Sequence, residues 1–307
     1  MSSLSDSDSV VKLSSDSDSD SGSRLNPMRV SGAVSQQQRQ YDAVFFDLYG
    51  TLVDIRTDED SDVAWSSLYE SLCSLVAGTD IDQDDPAIHI PVLRRRFAAL
   101  FQSISDCQAR QASANGQLNS DDDYEPDILP VYRALCADAV AVSRRSISIS
   151  EIDAAARKAA WTFRRASTHM IRLYEGADDL LRSLQTAGLR VVLVSNAQAC
   201  YTRPELDMLG LTPLFDRIVI SSEEGVRKPS AKLFQRALQR EQLSADRVVM
   251  IGNDERCDIL GARSAGIDGI YVHTEISPQN DPAVSDHAVQ SFAGADYAGI
   301  LRFLGIR

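Results

Sequence analysis

The chain has 307 residues, of which 44% are hydrophobic and 24% charged, and its formal net charge is −13. This length suits one large domain or two modest ones, and the composition predicts that most of the chain folds. The acidic balance argues against nucleic acid or an anionic membrane as a partner. The five cysteines lack metal-ligand spacing, and the sequence shows neither a transmembrane-length apolar run nor a signal-peptide core. We therefore expect reduced thiols and a cytoplasmic protein.

The first segment, residues 1–38, consists of Ser-Asp repeats followed by a Gln run. A segment with so few apolar side chains cannot bury a core, so we predict that it is disordered. It could be a phosphorylated or interacting tail. The simpler interpretations, which we favour, are a solubilising leader or a mis-assigned start codon.

After this leader, short apolar runs alternate with amphipathic stretches. The runs are continuous, rich in β-branched residues and only three or four residues long, as in parallel strands buried on both faces. They are Val44–Phe46, Val191–Val194, Ile218–Ile220, Val248–Ile251 and Ile270–Val272. Helical patterns lie between the later runs, at Ala177–Gln185, Ala231–Gln239 and Asp258–Ser264. This alternation predicts an α/β fold with a doubly wound parallel sheet.

The interval from Ile55 to Arg172 breaks this alternation, because it contains no clear run for a buried strand. It contains four helical patterns instead, at Val63–Val76, Pro91–Ile104, Ile128–Val142 and Ile152–Ile171. The polar stretch Gln111–Asp127 predicts a loop between two of them. We interpret residues 56–172 as an inserted all-helical cap domain, and residues 39–55 with 173–307 as the core. An insertion after the first strand lies above the strand ends, where a lid would be.

Four strand ends carry reactive side chains. Asp47 follows the first run, Ser195 and Asn196 follow the second, and Lys228 follows the third. The fourth run is followed by Asn253, Asp254 and Asp258. Each of these alone is more simply a turn residue or a helix cap. Because the carboxyl ends of neighbouring parallel strands share one edge, together they predict a single site.

These segments resemble the haloacid dehalogenase superfamily of hydrolases over residues 42–307. The motifs that carry the resemblance are FFDLYGTLVD, YEGADDLLRSLQTAGLRVVLVSNA, GVRKPSAKLF and VVMIGNDERCDILGARSAG. The resemblance implies a Rossmann-like core, an aspartate nucleophile and a cap inserted between the first two motifs.

Chemistry suggests a role for each residue of this site. Asp47 would attack the substrate and form a covalent intermediate that water then hydrolyses. Lys228 would pair with the nucleophile and with developing negative charge. Ser195 would donate its hydroxyl to the substrate's anionic oxygens, helped by Asn196 or a backbone amide. Asp258 would position Lys228, complete a metal site or activate water.

The turn after Asp47 completes the predicted set. Its backbone N–H groups at Gly50 and Thr51 would approach the substrate's charge, since glycine permits a close backbone approach. We assign Thr51 to the catalytic set, and Gly50 and Tyr49 to substrate binding.

Tyr49 leaves the substrate class open. Phosphatases of the family have an acid at this position, which protonates the leaving alkoxide, and general acids contribute roughly 10²–10⁴-fold. The family's 2-haloacid dehalogenases have Tyr there, because halide leaves without a proton. Tyr49 therefore favours dehalogenation, or a phosphate substrate whose leaving group needs little help. Its ring could also simply pack under the cap.

The fourth motif favours phosphate chemistry. A phosphate dianion approaches a carboxylate only when a cation offsets the repulsion, usually Mg²⁺ with oxygen ligands. Asp47, the Tyr49 carbonyl and Asp254 would hold it, although the commonest family spacing selects Asn253 and Asp258 remains a further option. Asp254 could instead be a solvated turn acid.

We expect a Mg²⁺-dependent phosphatase that acts on a small anionic metabolite. A metal-independent 2-haloacid dehalogenase is the alternative, and a non-catalytic binding module with this fold is a more remote one. The sequence predicts no nucleic-acid or membrane partner. The oligomeric state cannot be inferred from the sequence.

Overall fold

The computed structural model describes residues 40–76, 86–116, 124–143 and 146–306 of the chain. The predicted disorder of residues 1–38 lies outside these residues. The strands are β1 (Ala43–Phe46), β2 (Val53–Thr57), β3 (Thr168–Leu173), β4 (Arg190–Ser195), β5 (Arg217–Ile220), β6 (Val248–Gly252), β7 (Asp268–His273) and β8 (Gln290–Ala293). The helices are α1 (Asp62–Leu75), α2 (Pro86–Ala114), α3 (Leu129–Ser143), α4 (Ile149–Ser167), α5 (Ala177–Thr186), α6 (Ala199–Met208), α7 (Ser221–Glu224), α8 (Ala231–Glu241), α9 (Gly261–Ser264) and α10 (Tyr297–Phe303). None of the described helices is both long enough and apolar enough to cross a bilayer.

Six strands form one sheet in the order β5-β4-β1-β6-β7-β8, and every neighbouring pair is parallel. The first strand is central, because the chain builds one side with β4 and β5 and then crosses to build the other side with β6, β7 and β8. Crevices at such a reversal are the usual ligand sites of open α/β sheets. The predicted fold class, a doubly wound α/β sheet, is confirmed.

Both faces of this sheet are buried, which explains the continuous apolar runs. Val44 and Phe46 of β1 pack on one face with Leu180 and Leu184 of α5. Phe45 packs on the opposite face in a second cluster, which includes residues of α8. Successive side chains of a strand point to opposite faces, so a run that is apolar at every position requires a layer of helices on each side.

The helical insertion differs from its prediction at both ends. Strands β2 and β3 form an antiparallel pair between the sheet and the helices. The helix predicted to reach Ile171 ends at Ser167, and Thr168–Leu173 is a strand. The expectation of an interval without strands is therefore wrong. The apolar residues of β3, which are Met170, Ile171 and Leu173, are all half-buried, so no buried apolar run marks this strand in the sequence. The strand forms by pairing with β2, a tertiary effect that local sequence patterns do not show.

Helices α1–α4, which we call the cap helices, have a hydrophobic cluster of their own. Trp65 of α1, Tyr132 of α3 and Phe163 of α4 lie in this cluster. The cluster also contains Cys200 and Tyr201 of α6, which follows the second strand-end motif. Helix α6 therefore joins the cap helices to the end of β4.

Candidate active site

The first strand delivers Asp47 to the carboxyl edge of the sheet. The Asp47 N–H donates to the Ile251 carbonyl at 2.9 Å, so the backbone stays in the ladder between β1 and β6 up to the carboxylate. Asp47 is 8% exposed and lines a cavity of about 190 Å³. The cavity is lined by Asp47, Tyr49, Asn196, Lys228, Asn253, Asp254, Cys257, Asp258, Ile276 and Pro278. Side chains that follow four strands of the sheet thus meet in one space, as predicted.

Lys228 connects two of the carboxylates in this cavity. Its Nζ donates to Asp47 Oδ1 at 2.6 Å and to Asp258 Oδ1 at 2.7 Å. All three residues are buried, and Lys228 is 1% exposed. Charges out of water require close partners, and here one ammonium serves two carboxylates. The second oxygen of Asp258 accepts the Asp254 N–H at 3.0 Å.

The cluster changes the protonation behaviour of its members. Burial lowers the pKa of Lys228, but the carboxylates of Asp258 and Asp47 outweigh burial and raise that pKa above its ordinary value. The ammonium therefore stays charged. Burial raises the pKa of Asp258, Lys228 lowers it, and Asp47 raises it, with a net rise. These are the effects expected of a buried cation between two acids.

Ser195 ends β4 beside the nucleophile strand and is fully buried. Among the described residues, no group hydrogen-bonds to its Oγ. Buried hydroxyls normally have a partner, so an orphaned one needs an explanation. Ser195 is not among the residues that line the cavity with Asp47, so its role in substrate binding stays a prediction.

Asn196 makes contacts that the sequence did not predict. Its Nδ2 donates to the Lys228 carbonyl at 2.9 Å, and its Oδ1 accepts the Lys228 N–H at 2.8 Å. The side-chain amide thus holds the backbone of Lys228 from both sides. Although Asn196 lines the cavity, this geometry makes its side chain a positioning group for Lys228.

The backbone N–H groups in the turn after Asp47 have partners that differ from the prediction. The Gly50 N–H donates to the Val53 carbonyl at 2.8 Å, and the Thr51 N–H donates to the Leu48 carbonyl at 3.3 Å. Both amides are therefore used inside the turn, and the prediction that they approach the substrate is wrong. The Thr51 hydroxyl is fully buried and donates to Asn253 Oδ1 at 3.2 Å. Neither Gly50 nor Thr51 lines the cavity.

The polar residues after β6 make different contacts. Asn253 is buried, and its side-chain oxygen accepts the Thr51 hydroxyl. Asp254 is half-buried and caps a π-helical turn, Glu255–Leu260, because its Oδ1 accepts the Cys257 N–H at 2.6 Å. Asp254 is thus the helix cap, and Asp258 lies one turn later facing Lys228. Burial and the nearby Asp254 raise the pKa of the Cys257 thiol to about 12.

The side chains of this cavity supply only some of the ligands that a divalent cation needs. Within the described residues, no three His, Cys, Asp or Glu side chains gather into a metal cluster. Asp47 and Asp254 nevertheless line the same cavity, where Asp47 Oδ1 accepts from Lys228 and Asp254 Oδ1 accepts from the Cys257 N–H. Mg²⁺ is commonly held by one or two carboxylates with several waters. The carboxylates of Asp47 and Asp254 are the two acids of this cavity that meet that requirement, whereas both oxygens of Asp258 are engaged.

The Tyr49 hydroxyl is hydrogen-bonded to helix α6. The hydroxyl donates to Glu205 Oε2 and lies 2.9 Å from Thr202 Oγ1, both on α6. Glu205 is 2% exposed and accepts a further hydrogen bond from Arg164 Nε at 2.6 Å. Burial raises the pKa of Tyr49, and the Glu205 carboxylate raises it further. The ring therefore forms a wall of the cavity, while its hydroxyl belongs to a buried network.

A second cavity, of about 400 Å³, adjoins the first one and shares Tyr49 and Asn196 with it. Arg164, Arg227, Glu59 and Glu125 contribute charges of both signs to its lining, together with Ile128, Ala197, Gln198, Tyr201 and Thr202. Burial raises the pKa of Glu125, although Arg227 and Gln198 lower it. The cap helices and α6 thus line space next to the nucleophile that can hold the rest of a small substrate.

Sequence reasoning missed the network behind Tyr49. Helix α6 was not predicted, so Thr202 and Glu205 received no role. A usable signal existed, because these two polar residues lie three apart directly after the second motif and therefore share one face of a helix.

Three comparisons with known proteins bear on this site. The family model described as haloacid dehalogenase-like hydrolase matches residues 41–266. Over 116 residues the chain is 33% identical to a glyceraldehyde 3-phosphate phosphatase of Methanothermobacter thermautotrophicus, which covers 38% of this chain and 51% of that protein. Over 114 residues it is 31% identical to a phosphoserine phosphatase of Thermus thermophilus. This alignment covers 37% of this chain and 46% of that protein. The chain spans about half the length of these curated relatives.

Among solved structures, a 2-haloacid dehalogenase from Pseudomonas syringae pv. Tomato DC3000 superposes with a TM-score of 0.52 at 17% identity. The match covers 86% of this chain and 98% of that one. At this identity the likeness concerns the fold alone.

Proposed function

Because the chain belongs to the haloacid dehalogenase-like hydrolase family, we propose that it is a Mg²⁺-dependent phosphatase acting on a small phosphorylated metabolite. Curated relatives named as phosphatases of glyceraldehyde 3-phosphate and phosphoserine support this proposal.

One observation carries the proposal above all others, the bridge from Lys228 Nζ to Asp47 and Asp258 at 2.6 and 2.7 Å. The bridge holds the Asp47 carboxylate through its Oδ1 at the wall of the cavity. A carboxylate oriented in this way can act as a nucleophile. The fully buried Ser195 hydroxyl, orphaned among the described residues, adds a donor suited to a phosphate oxygen.

In the proposed reaction, Asp47 attacks phosphorus and the bond to the leaving oxygen breaks, giving an aspartyl phosphate. Lys228 and Ser195 stabilise negative charge on the transferred group, and fixed donors of this kind act without reorganisation. Water then attacks the phosphorus of the aspartyl phosphate, which releases inorganic phosphate and regenerates the Asp47 carboxylate. Asn196 contributes by holding Lys228 through its backbone.

Asp47, Asp254 and the Tyr49 carbonyl are the groups that would hold Mg²⁺. When bound, the cation would offset the repulsion between the Asp47 carboxylate and a phosphate dianion. Asn253 is a weaker candidate, because its oxygen already accepts the Thr51 hydroxyl.

A metal-independent 2-haloacid dehalogenase is the second candidate, and Tyr49 is the observation in its favour. Its hydroxyl donates to Glu205, so this position offers no acid to a leaving group. Halide needs none. In this reaction Asp47 would attack carbon, halide would leave, and water would hydrolyse the resulting ester.

A paired screen separates the two candidates. Phosphate release would be measured from a panel of phosphorylated metabolites with Mg²⁺, and halide release from 2-chloropropionate without metal. We expect phosphate release that EDTA abolishes and added Mg²⁺ restores. The Asp47→Asn enzyme should release none, whereas Asp207→Asn, which changes an exposed acid on α6, is the matched control.

Halide release that is indifferent to EDTA would replace the phosphatase by the dehalogenase. Turnover that survives in Asp47→Asn would remove the nucleophile from both reactions. Silence on both panels would leave the non-catalytic binding module as the remaining hypothesis.

A further inference from the structure

The Tyr49 hydroxyl has one proton, and the structure gives that proton a partner. The hydroxyl donates to Glu205 Oε2 and lies 2.9 Å from Thr202 Oγ1. Since the phenol donates to the carboxylate, the Thr202 hydroxyl is the donor in the second contact. The proton of the Tyr49 hydroxyl is thus donated to α6, and its oxygen also accepts a hydrogen bond from α6.

Glu205 is itself held in place, so the proton is not easily released to another acceptor. It is 2% exposed and accepts from Arg164 Nε at 2.6 Å. Arg164 in turn donates through Nη1 to Glu59 at 2.9 Å and lies with its guanidinium 6.0 Å from the centre of the Tyr49 ring. Turning the Tyr49 hydroxyl toward a substrate would leave a buried carboxylate without one of its donors, which is unfavourable.

We infer that the substrates are phosphoryl compounds whose leaving group departs as a stable anion without taking a proton. The chemical class is acyl phosphates. This inference rests on the proposed phosphatase function. The Asp47 oxygen forms the new bond to phosphorus while the bond from phosphorus to the acyl oxygen breaks. The electron pair leaves with that oxygen as a carboxylate. Water then cleaves the aspartyl phosphate, and its proton goes to solvent.

This inference follows from leaving-group chemistry. An alkoxide is a strong base and leaves slowly unless an acid protonates it, whereas a carboxylate or a phenolate is stable as it leaves. General acids contribute roughly 10²–10⁴-fold, so their absence penalises alkyl esters by about that factor. The cavity beyond Tyr49, of about 400 Å³, can hold either kind of group, so size does not select between them.

The test is a series of substrates that differ in leaving group, of which the three aromatic members are similar in size. Phosphate release from acetyl phosphate, 4-nitrophenyl phosphate, phenyl phosphate and benzyl phosphate would be compared as kcat/KM. We expect kcat/KM to fall steeply along this series, with benzyl phosphate at least about 10²-fold below phenyl phosphate. The series detects proton delivery from any group, and thus also from Lys228 and Cys257 in the first cavity and from Glu59 and Glu125 in the adjoining one.

Two variants locate the effect at Tyr49. Tyr49→Phe keeps the ring and removes the hydroxyl, so the ratio of kcat/KM for phenyl and benzyl phosphate should stay as in the wild type. Tyr49→Asp puts an acid at this position, and the ratio should shrink by about 10²-fold or more. If Tyr49→Asp does not fold, the wild-type series and Tyr49→Phe still decide the question.

Equal kcat/KM for phenyl and benzyl phosphate would overturn the inference and leave the phosphatase intact. A steeper series in Tyr49→Phe would also overturn it, because the hydroxyl would then be the proton donor. Release of phosphate from none of the four compounds would contradict both the inference and the proposed function.

Discussion

Lys228 holds a positive charge at 1% exposure, and its position depends on contacts from three directions. Asp47 and Asp258 accept from Nζ, and Asn196 fixes the backbone on both sides of the peptide. A buried charge is tolerated when its partners are close and well oriented. The same contacts that make the charge stable also orient the nucleophile, so folding and reactivity depend on one side chain.

Replacing Lys228 therefore tests its contribution to stability and its contribution to activity. In Lys228→Met, two carboxylates lose their shared cation in a buried site, and breaking a buried ion pair costs about 3–5 kcal/mol. We expect the free energy of unfolding in urea to fall by that amount and phosphate release to be lost. Arg203→Met is the control, since it removes an exposed ion pair with Glu223 and should cost about 0–1 kcal/mol. Equal effects of the two variants would contradict the buried bridge.

The sequence allows the residues of the site to be predicted, but not the contacts that their side chains make. The meeting of Asp47, Lys228 and Asp258 could be predicted, because each follows a strand of one parallel sheet. The direction of the Thr51 hydroxyl and of the Asn196 amide could not, because it depends on the register of segments far apart in the chain. The Tyr49 hydroxyl contacts a helix 153 to 156 residues away, which no local pattern reveals.

The turn that joins β1 to β2 shows how one element shapes the site. Gly50 has a φ of +88°, which side chains other than glycine's rarely adopt, and a Cβ there would lie 2.1–2.8 Å from the Asn253 side-chain atoms. Asn253 also accepts from Thr51 in the same turn. The turn after the nucleophile and the segment after β6 are thus packed too closely for any side chain at position 50.

Gly50→Ala should therefore cost more than backbone strain alone. A left-handed residue other than glycine costs about 1–2 kcal/mol, and Asn253 must also move. Gly210→Ala is the matched control, because φ is +70° and no atom lies within 4 Å of the added Cβ. We expect Gly210→Ala to lower the free energy of unfolding by about 1–2 kcal/mol and Gly50→Ala to lower it further with a loss of activity. Equal losses would mean that the contact with Asn253 has no effect.

Elements with a strong local signal were predictable, and those that depend on pairing were not. Five strands of the sheet coincide with apolar runs, because a strand buried on both faces must be apolar throughout. Strand β8 is half-buried, and β2 and β3 pair only with each other in a two-stranded sheet. None of these three strands therefore has a continuous buried apolar run. The last predicted helix begins as a π-helical turn at Glu255, three residues before the predicted start.

Across the whole molecule, α6 connects the reactive edge of the sheet to the cap helices. Its Tyr201 hydroxyl lies 2.5 Å from the Tyr132 hydroxyl within the cap cluster, and its Glu205 contacts both Tyr49 and Arg164. The wall of the nucleophile's cavity and the packing of the cap helices are therefore joined through one helix. A cap inserted after the first strand was predicted from the sequence, whereas this connection required the fold.

In the proposed reaction Asp47 carries the phosphoryl group, and this aspartyl phosphate can be trapped. The enzyme would be mixed with Mg²⁺ and acetyl phosphate labelled in its phosphoryl group, quenched in acid, and digested to find the labelled peptide. We predict label on the peptide that contains Asp47, lost on treatment with hydroxylamine and absent from Asp47→Asn. Phosphate release without label at Asp47, or label that persists in Asp47→Asn, would contradict the account.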